Sequence, residues 1–391
     1  NFFPMETAAI YAATFVAQRA CPATTVEGYV LYPDAAGKTW TPTTYRLNGF
    51  RIHLAAVALF AAASVAGLDV AVLAEGFWAQ LACANVIGLA ASGIVYGVGR
   101  RRATQGYLDK RRCCPTKGRP VPPVSASEEA AFEAAGAAER FYCGWEWNPC
   151  YWGIDSKMFL YLVGAVQLEL LVLSGAALQR KARPDQDNSL AVLAVVGMLT
   201  WFVSEYLWFE EVHLYTYDFF CERLGFKLVW GCFVFYPFFY CIALWPLVSN
   251  PQADISLFAA LSIALLFVAG WVLTRGANMQ KFTFKTQPEQ KYFLFLQQVP
   301  VPGSNNRLLC SGFWKLSRHI NYLGEIVQAL AIALPGVVAT GQLWGLAYPL
   351  YYVCLFVPRQ KDDDEACKAK YGAVWDTYVK LVPWRIVPGV W

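Results

Sequence analysis

Two stretches concentrate side chains able to do chemistry. "LLCSGFWKLSRHINYLGE" (308–325) crowds Lys315, Arg318, His319, Asn321, Tyr322 and Glu325 into eleven residues, and "WFVSEYLWFEEVHLYTYD" (201–218) carries Glu205, Tyr206, Glu210, Glu211 and Asp218. Guanidinium and ammonium groups pair with phosphate, and flat rings stack on bases. The first set, joined by Lys281, Lys285, Trp314, Arg359, Asp363, Asp364, Tyr371 and Tyr378, therefore suits an anionic aromatic ligand such as a phosphorylated nucleotide. The competing reading makes the cations topological and the Trp and Tyr an interfacial belt. The second set mixes acids with apolar neighbours. A carboxyl removed from water has its pKa raised and becomes a proton source; the alternative for Glu205 is a buried acid paired with Tyr206 or a backbone donor.

Other chemistries are excluded. There is no GxGxxG or Walker loop, so a nucleotide site here would be non-Rossmann. The 12 cysteines form no CxxC pair and the only histidines are His53, His213 and His319, which leaves no zinc site, disulfide framework or multi-histidine metal centre. Cys143 and Cys150 could pair, but reduced thiols are the expectation on a cytosolic face. The basic clusters "GRRRA" (99–103) and "DKRRCC" (109–114) suit anionic lipid headgroups, and no nucleic-acid partner is expected.

The elements that must position these groups are membrane helices. Of 391 residues, 57% are hydrophobic and 15% charged, which excludes an ordinary soluble domain and predicts an all-α polytopic bundle of about nine or ten helices. Apolar runs of spanning length lie at about 52–70, 77–98, 157–178, 189–209, 226–248, 255–273, 322–340 and 341–357, with a weaker one in "METAAIYAATFVA". Alternation puts 29 of the 32 Lys and Arg on one side, leaving Arg180, Lys181 and Arg183 on the other. Positive loops stay inside, so the basic loops and the C-terminus are expected in the cytosol. A short helix is expected at 127–140, capped by Ser125 or Ser127, and another from Lys361 to Leu381, stopped by Pro383. The whole chain reads as one membrane domain, 1–273 forming a chamber and 274–391 the ligand-binding half. The start at Asn1 and the immediate apolar character suggest that the natural chain begins upstream.

The motifs "TTYRLNGF" (43–50), "NP" (148–149) with "GIDSKMF" (153–159), "EEVHLYTYD" (210–218), "RLGFKLVWG" (223–231), "RGANMQK" (275–281), "SGFWKLSRHINYLGE" (311–325) and "KYGAVWDTYVKLVPWRIVP" (370–388) resemble, in order and spacing, those of the sterol reductases. The resemblance covers nearly the whole chain and is nearest the C14 branch, which the pair Glu210-Glu211 favours. It implies an endoplasmic-reticulum protein that holds NADPH in its C-terminal half beside a pocket for a sterol or other lipid entering from the bilayer. The reaction would be protonation of a ring C=C bond followed by hydride transfer. Lys281, Trp314, Arg318, His319, Asn321, Tyr322, Arg359, Asp363 and Tyr378 fall on the family's cofactor positions, and Glu210, Glu211 and Asp218 on its acidic motif.

The departures from the family pattern form a list of their own. The tyrosine regarded as proton donor is Phe202, so Glu205 or Tyr206 would have to replace it, and an Arg-Pro-Gly reads Val163-Gly164-Ala165. Trp-Gly-Asp reads Trp230-Gly231-Cys232, a Gln is Ala243, a Gly is Lys315 and an Asp is Glu325; the tail motif keeps only Arg359 and Asp363. These losses admit a second reading, a catalytically degenerate scaffold or subunit that associates with other proteins. A third is an S-adenosylmethionine-dependent membrane methyltransferase, whose families share "RHxxYxGE" and a following helical hairpin; the N-terminal motifs speak for the reductases.

Overall fold

A computed structural model describes residues 5–30, 43–105, 113–114, 126–220, 222–287, 289–303 and 307–391. Six helices among them are long and apolar enough to cross a bilayer: Phe77–Thr104, Ser156–Lys181, Leu190–Trp208, Phe226–Ser249, Leu257–Thr286 and Ile320–Thr340. At 1.5 Å per residue, about 20 residues cover the roughly 30 Å hydrocarbon layer. The chain is an all-α polytopic integral membrane protein. Among the described residues, sheet is confined to short ladders, chiefly Thr24–Val30 antiparallel to Thr43–Leu47, with Thr24 opposite Leu47.

Contacts divide the chain into two compact units, one of residues 1–186 and 199–241, the other of 187–198 and 242–391. In the first, Ser156–Lys181 is the central post and the most buried of the spans. Asp155 caps it, its carboxylate accepting from the N–H groups of Lys157 and Met158, which satisfies two of the amides a helix start leaves unpaired. Gly164 lets the 231–236 backbone approach closely: a Cβ there would lie 2.6 Å from the Cys232 carbonyl oxygen.

In the second unit, Leu257–Thr286 packs along Ile320–Thr340 through facing glycines. A Cβ on Gly324 would lie 2.6 Å from the Thr274 nitrogen and 2.7 Å from the Gly270 oxygen. Bare backbone at this contact is the usual device for close helix packing in lipid, where hydrophobicity does not drive helices together.

Several elements differ from the sequence expectation, each for a local reason. The 226–248 run is α-helical over Phe226–Trp230, a π-turn over Gly231–Phe235, α again, 3-10 over Tyr240–Leu244, and α at Trp245–Ser249. Pro237 and Pro246 remove amide donors from this run, and the backbone changes pitch around them. The expected span 341–357 and tail helix are instead one helix, Ala347–Tyr371, with Pro358 inside it. The break comes at Gly372, whose φ of 56° suits a residue without a Cβ, and Ala373–Leu381 follows. The 127–140 helix is split into Ala126–Ala134 and Ala137–Cys143. Ser127 lies inside the first piece, while Ser125 and the basic cluster at 109–112 lie outside the described residues. No disulfide joins Cys143 to Cys150.

Candidate functional site

The first unit encloses a small cavity whose wall includes Met158, Tyr161, Tyr206, Glu210, His213 and Phe219. Glu210 opens the short helix Glu210–His213 and is buried. Its Oε2 accepts a hydrogen bond from the Gly49 N–H at 3.0 Å. Burial pushes its carboxyl up to about 7, against the downward pull of that hydrogen bond. One turn on, the His213 ring lies on Tyr206 with centroids 3.7 Å apart, and its Nε2 is 3.0 Å from the Tyr206 carbonyl oxygen.

Behind this wall the Tyr161 hydroxyl donates to Asp218 Oδ2 at 2.7 Å. The Asp218 loop is held from below by Lys157, a fully buried ammonium that donates to the carbonyl oxygens of Asp218, Phe219 and Glu222 at 2.6, 3.3 and 2.7 Å. A buried cation is tolerated only where its donors are used. Of the five acidic-motif residues chosen from sequence, Tyr206 and Glu210 line the cavity and Asp218 stands one hydrogen bond behind it. Glu205 and Glu211 do not line it. Sequence reasoning passed over Tyr161, Lys157 and His213. The available signal was the helical spacing within "SKMFLY", which sets Tyr161 one turn beyond Lys157.

Two of the departures in this unit lie together. Val163 and Cys232 belong to the same buried apolar cluster, with Leu160, Leu171 and Phe233. Where the resemblance expects an arginine and an aspartate, this chain has packed an aliphatic side chain and a thiol. Exchanging both members of a buried charge pair for apolar groups is commonly neutral or stabilising, whereas losing one is costly. Phe202 is buried and tilted against Tyr240 at 6.3 Å; it is not part of the cavity wall.

The second unit gathers the cationic and aromatic set. Arg318 is buried and its donors are directed at protein: Nε and Nη2 to the two Asp364 carboxylate oxygens at 3.2 and 3.0 Å, Nη1 to the carbonyls of Val382 and Pro383. Burial alone would raise the Asp364 carboxyl, but the nearby His319 ring and the hydrogen bonds and charge of Arg318 hold it below its ordinary value. Tyr322 donates to Asp363 Oδ2 at 3.0 Å, and its ring is stacked between His319 at 4.9 Å and Phe356 at 4.4 Å.

Trp314 is buried, donates from Nε1 to the Ala277 carbonyl at 2.8 Å, and carries the Lys281 ammonium 5.0 Å above its ring. Tyr378 is buried against Trp375. The rings chosen from sequence as stacking faces are thus largely occupied by protein. Lys281, Lys285, Asn321, Arg359, Asp363 and Tyr371 are half-buried. The buried atoms Ser317 Oγ, His319 Nε2 and Asn321 Oδ1 have no hydrogen-bond partner. Buried polar atoms without partners are costly, so these orphaned atoms within five residues fit a polar ligand that offers both donors and acceptors.

The model of the ergosterol biosynthesis ERG4/ERG24 family matches residues 7–391. A Delta(14)-sterol reductase of Methylotuvimicrobium alcaliphilum is 31% identical over 98% of this chain and 83% of its own length. The Delta(14)-sterol reductase TM7SF2 of Mus musculus is 37% identical over 64% of this chain, and a Delta(14)-sterol reductase of Arabidopsis thaliana 33% identical over 64%. The matched region spans 59% of the mouse protein and 65% of the Arabidopsis one, less than two thirds of either. With nearly every residue aligned to the family model, the chain belongs to the ergosterol biosynthesis ERG4/ERG24 family.

Proposed function

We propose that the chain is an NADPH-dependent sterol reductase that saturates a ring C=C bond, in the manner named for its Delta(14)-sterol reductase relatives. We further propose that it works in sterol biosynthesis in the endoplasmic-reticulum membrane, its basic loops and C-terminus cytosolic. The observation that carries the reading is Glu210: a buried carboxyl, raised to about 7, on the wall of a largely apolar cavity. An acid half-protonated near neutral pH is suited to general acid catalysis.

In this mechanism the Glu210 proton is added to one alkene carbon. The π electrons form the new C–H bond, leaving a carbocation on the other carbon beside the Glu210 carboxylate, which offsets its charge. NADPH, when bound, supplies the hydride that completes the second C–H bond. Lys281 and Arg359 would hold phosphate, with His319, Asn321 and Asp363 offering polar contacts. Glu210 then takes a proton from water for the next cycle.

The test is incubation of the protein in lipid with NADPH and a C14-unsaturated sterol. Conversion to the saturated sterol is expected, and failure to convert C14, C7 or C24(28) substrates would overturn the reading. Phe202 favours a second reading, a family member that binds but does not convert, because phenylalanine has no proton to give at that position. Sterol and NADPH binding without turnover would select it.

A further inference from the structure

We propose that Arg318 is a positioning residue, the clasp of a three-segment lock that sets the nucleotide-binding edge, and that residues 382–385 of the tail belong to the framework of that site. The inference rests on the nucleotide reading of the second unit. It departs from the resemblance, which counts Arg318 among the cofactor contacts.

Arginine offers a planar fork of five N–H donors. Here two donors engage both oxygens of Asp364 and a third nitrogen reaches the carbonyls of Val382 and Pro383 at 2.9 and 2.8 Å. The backbone repeats the attachment, with Arg318 N–H donating to the Trp384 carbonyl and His319 N–H to the Arg385 carbonyl, both at 2.9 Å. One residue thereby joins the 317–319 turn, the helix Ala347–Tyr371 at Asp364, and the tail. Asp364 is the shared anchor: it also accepts from Gln360 Nε2 at 2.6 Å, and Arg385 Nε lies 3.6 Å away. A bidentate pair of this kind fixes geometry as well as charge.

A guanidinium so engaged is not presented to a phosphate. What it holds in place are its neighbours. Ser317 and Asn321, on either side of it, carry buried polar atoms with no hydrogen-bond partner, and His319 Nε2 lies 3.9 Å from Asp364 Oδ1. Asp363, adjacent to the anchor, accepts from Tyr322 and lies 3.9 Å from His319 Nδ1. The clasp therefore sits in the middle of the unsatisfied set without belonging to it, the relation of a support to the groups it orients.

The experiment uses the full chain in lipid nanodiscs, comparing the unaltered protein with Arg318→Lys, Asp364→Asn and the double variant Arg318→Lys/Asp364→Glu. NADPH and NADH dissociation constants are measured by calorimetry, and hydrogen exchange is followed in 382–391. A lysine keeps the charge but cannot bridge carboxylate and carbonyls together. Each single variant is expected to weaken both nucleotides by at least tenfold, leave their affinity ratio unchanged, and speed exchange in the tail. The longer carboxylate of the double variant should recover only the part of the affinity that rests on the contact with Asp364, leaving the tail released. Selective loss of NADPH over NADH would overturn the proposal by making Arg318 a direct phosphate contact, as would unchanged binding. If the unaltered chain binds neither nucleotide, the nucleotide reading itself fails and the positioning role with it. Tail exchange then reports whether the clasp survives as a structural tie.

Discussion

The cavity of the first unit and the clasp of the second treat charge in opposite ways. At the cavity, Glu210 has a hydrogen bond from Gly49 and mostly apolar neighbours, so its proton is held tightly enough to titrate near neutrality. At the clasp, Asp364 receives a bidentate arginine and a glutamine, and its carboxyl is held low. On the proposed mechanism, the same functional group is a proton source in one place and, in the proposed clasp, a structural anchor in the other. Burial occurs in both; the number of donors aimed at the carboxylate decides the outcome.

The sharpest way to break this contrast is Glu210→Gln, which keeps the shape and removes the proton. Sterol conversion is expected to fall by about 10² to 10⁴, the usual contribution of a positioned acid, with sterol affinity little changed; a change under threefold would remove Glu210 from the chemistry. The pH dependence follows in sign. The acid form is the active one, so the rate should fall about tenfold per unit above pH 7. Stability should move the same way: the unfolded carboxyl ionises near 4.5 and the folded one near 7, so between these values the native state holds more protons and is destabilised as pH rises. In Glu210→Gln that slope should disappear from the unfolding profile.

Next in size is Lys157→Met. Three carbonyls would lose a charged donor inside protein, costing about 3 kcal/mol, since hydrogen bonds to charged groups are each worth about 1.5–3 kcal/mol less the cost of burying the ammonium. A thermal unfolding curve measures the loss, and the Asp218 loop should show the fastest exchange. Gly49→Ala should have a smaller effect. The added methyl collides with the Glu210 carboxylate and its carbon, so the carboxyl must swing off the Gly49 N–H. Losing that donor, which lowers the pKa, is expected to shift the pH midpoint of activity upward. An unmoved midpoint would mean that the N–H does not tune the acid.

How far the sequence spoke for itself differs between the two regions. Glu210 was legible, because an acid pair at the end of an apolar run is a local signal, and so was the membrane bundle, because hydropathy is local as well. The type of Arg318 was legible and its role was not. Its partners, Asp364, Val382 and Pro383, lie at least 46 residues away in sequence, and nothing in the spacing says that the fork is already engaged. The same limit applies to Val163 and Cys232, which look like two separate losses in the sequence and belong to one buried cluster in the fold. The pitch changes between Phe226 and Ser249 were hidden for another reason. Hydropathy does not distinguish α from π or 3-10, although the prolines marked the region.

The gentlest test concerns Trp314, which the sequence offers as a stacking face and the fold uses as a wedge. Trp314→Phe keeps a ring beneath Lys281 and deletes only the donor to the Ala277 carbonyl. One neutral hydrogen bond is worth about 1 kcal/mol, and phenylalanine retains much of the cation–π attraction. A small stability loss with less than threefold change in NADPH affinity is therefore expected. A tenfold loss of affinity would instead place the indole against the nucleotide. The Lys281 ammonium would then have to leave the ring when ligand binds, and the second unit would be a rearranging site, no longer one held fixed by its clasp.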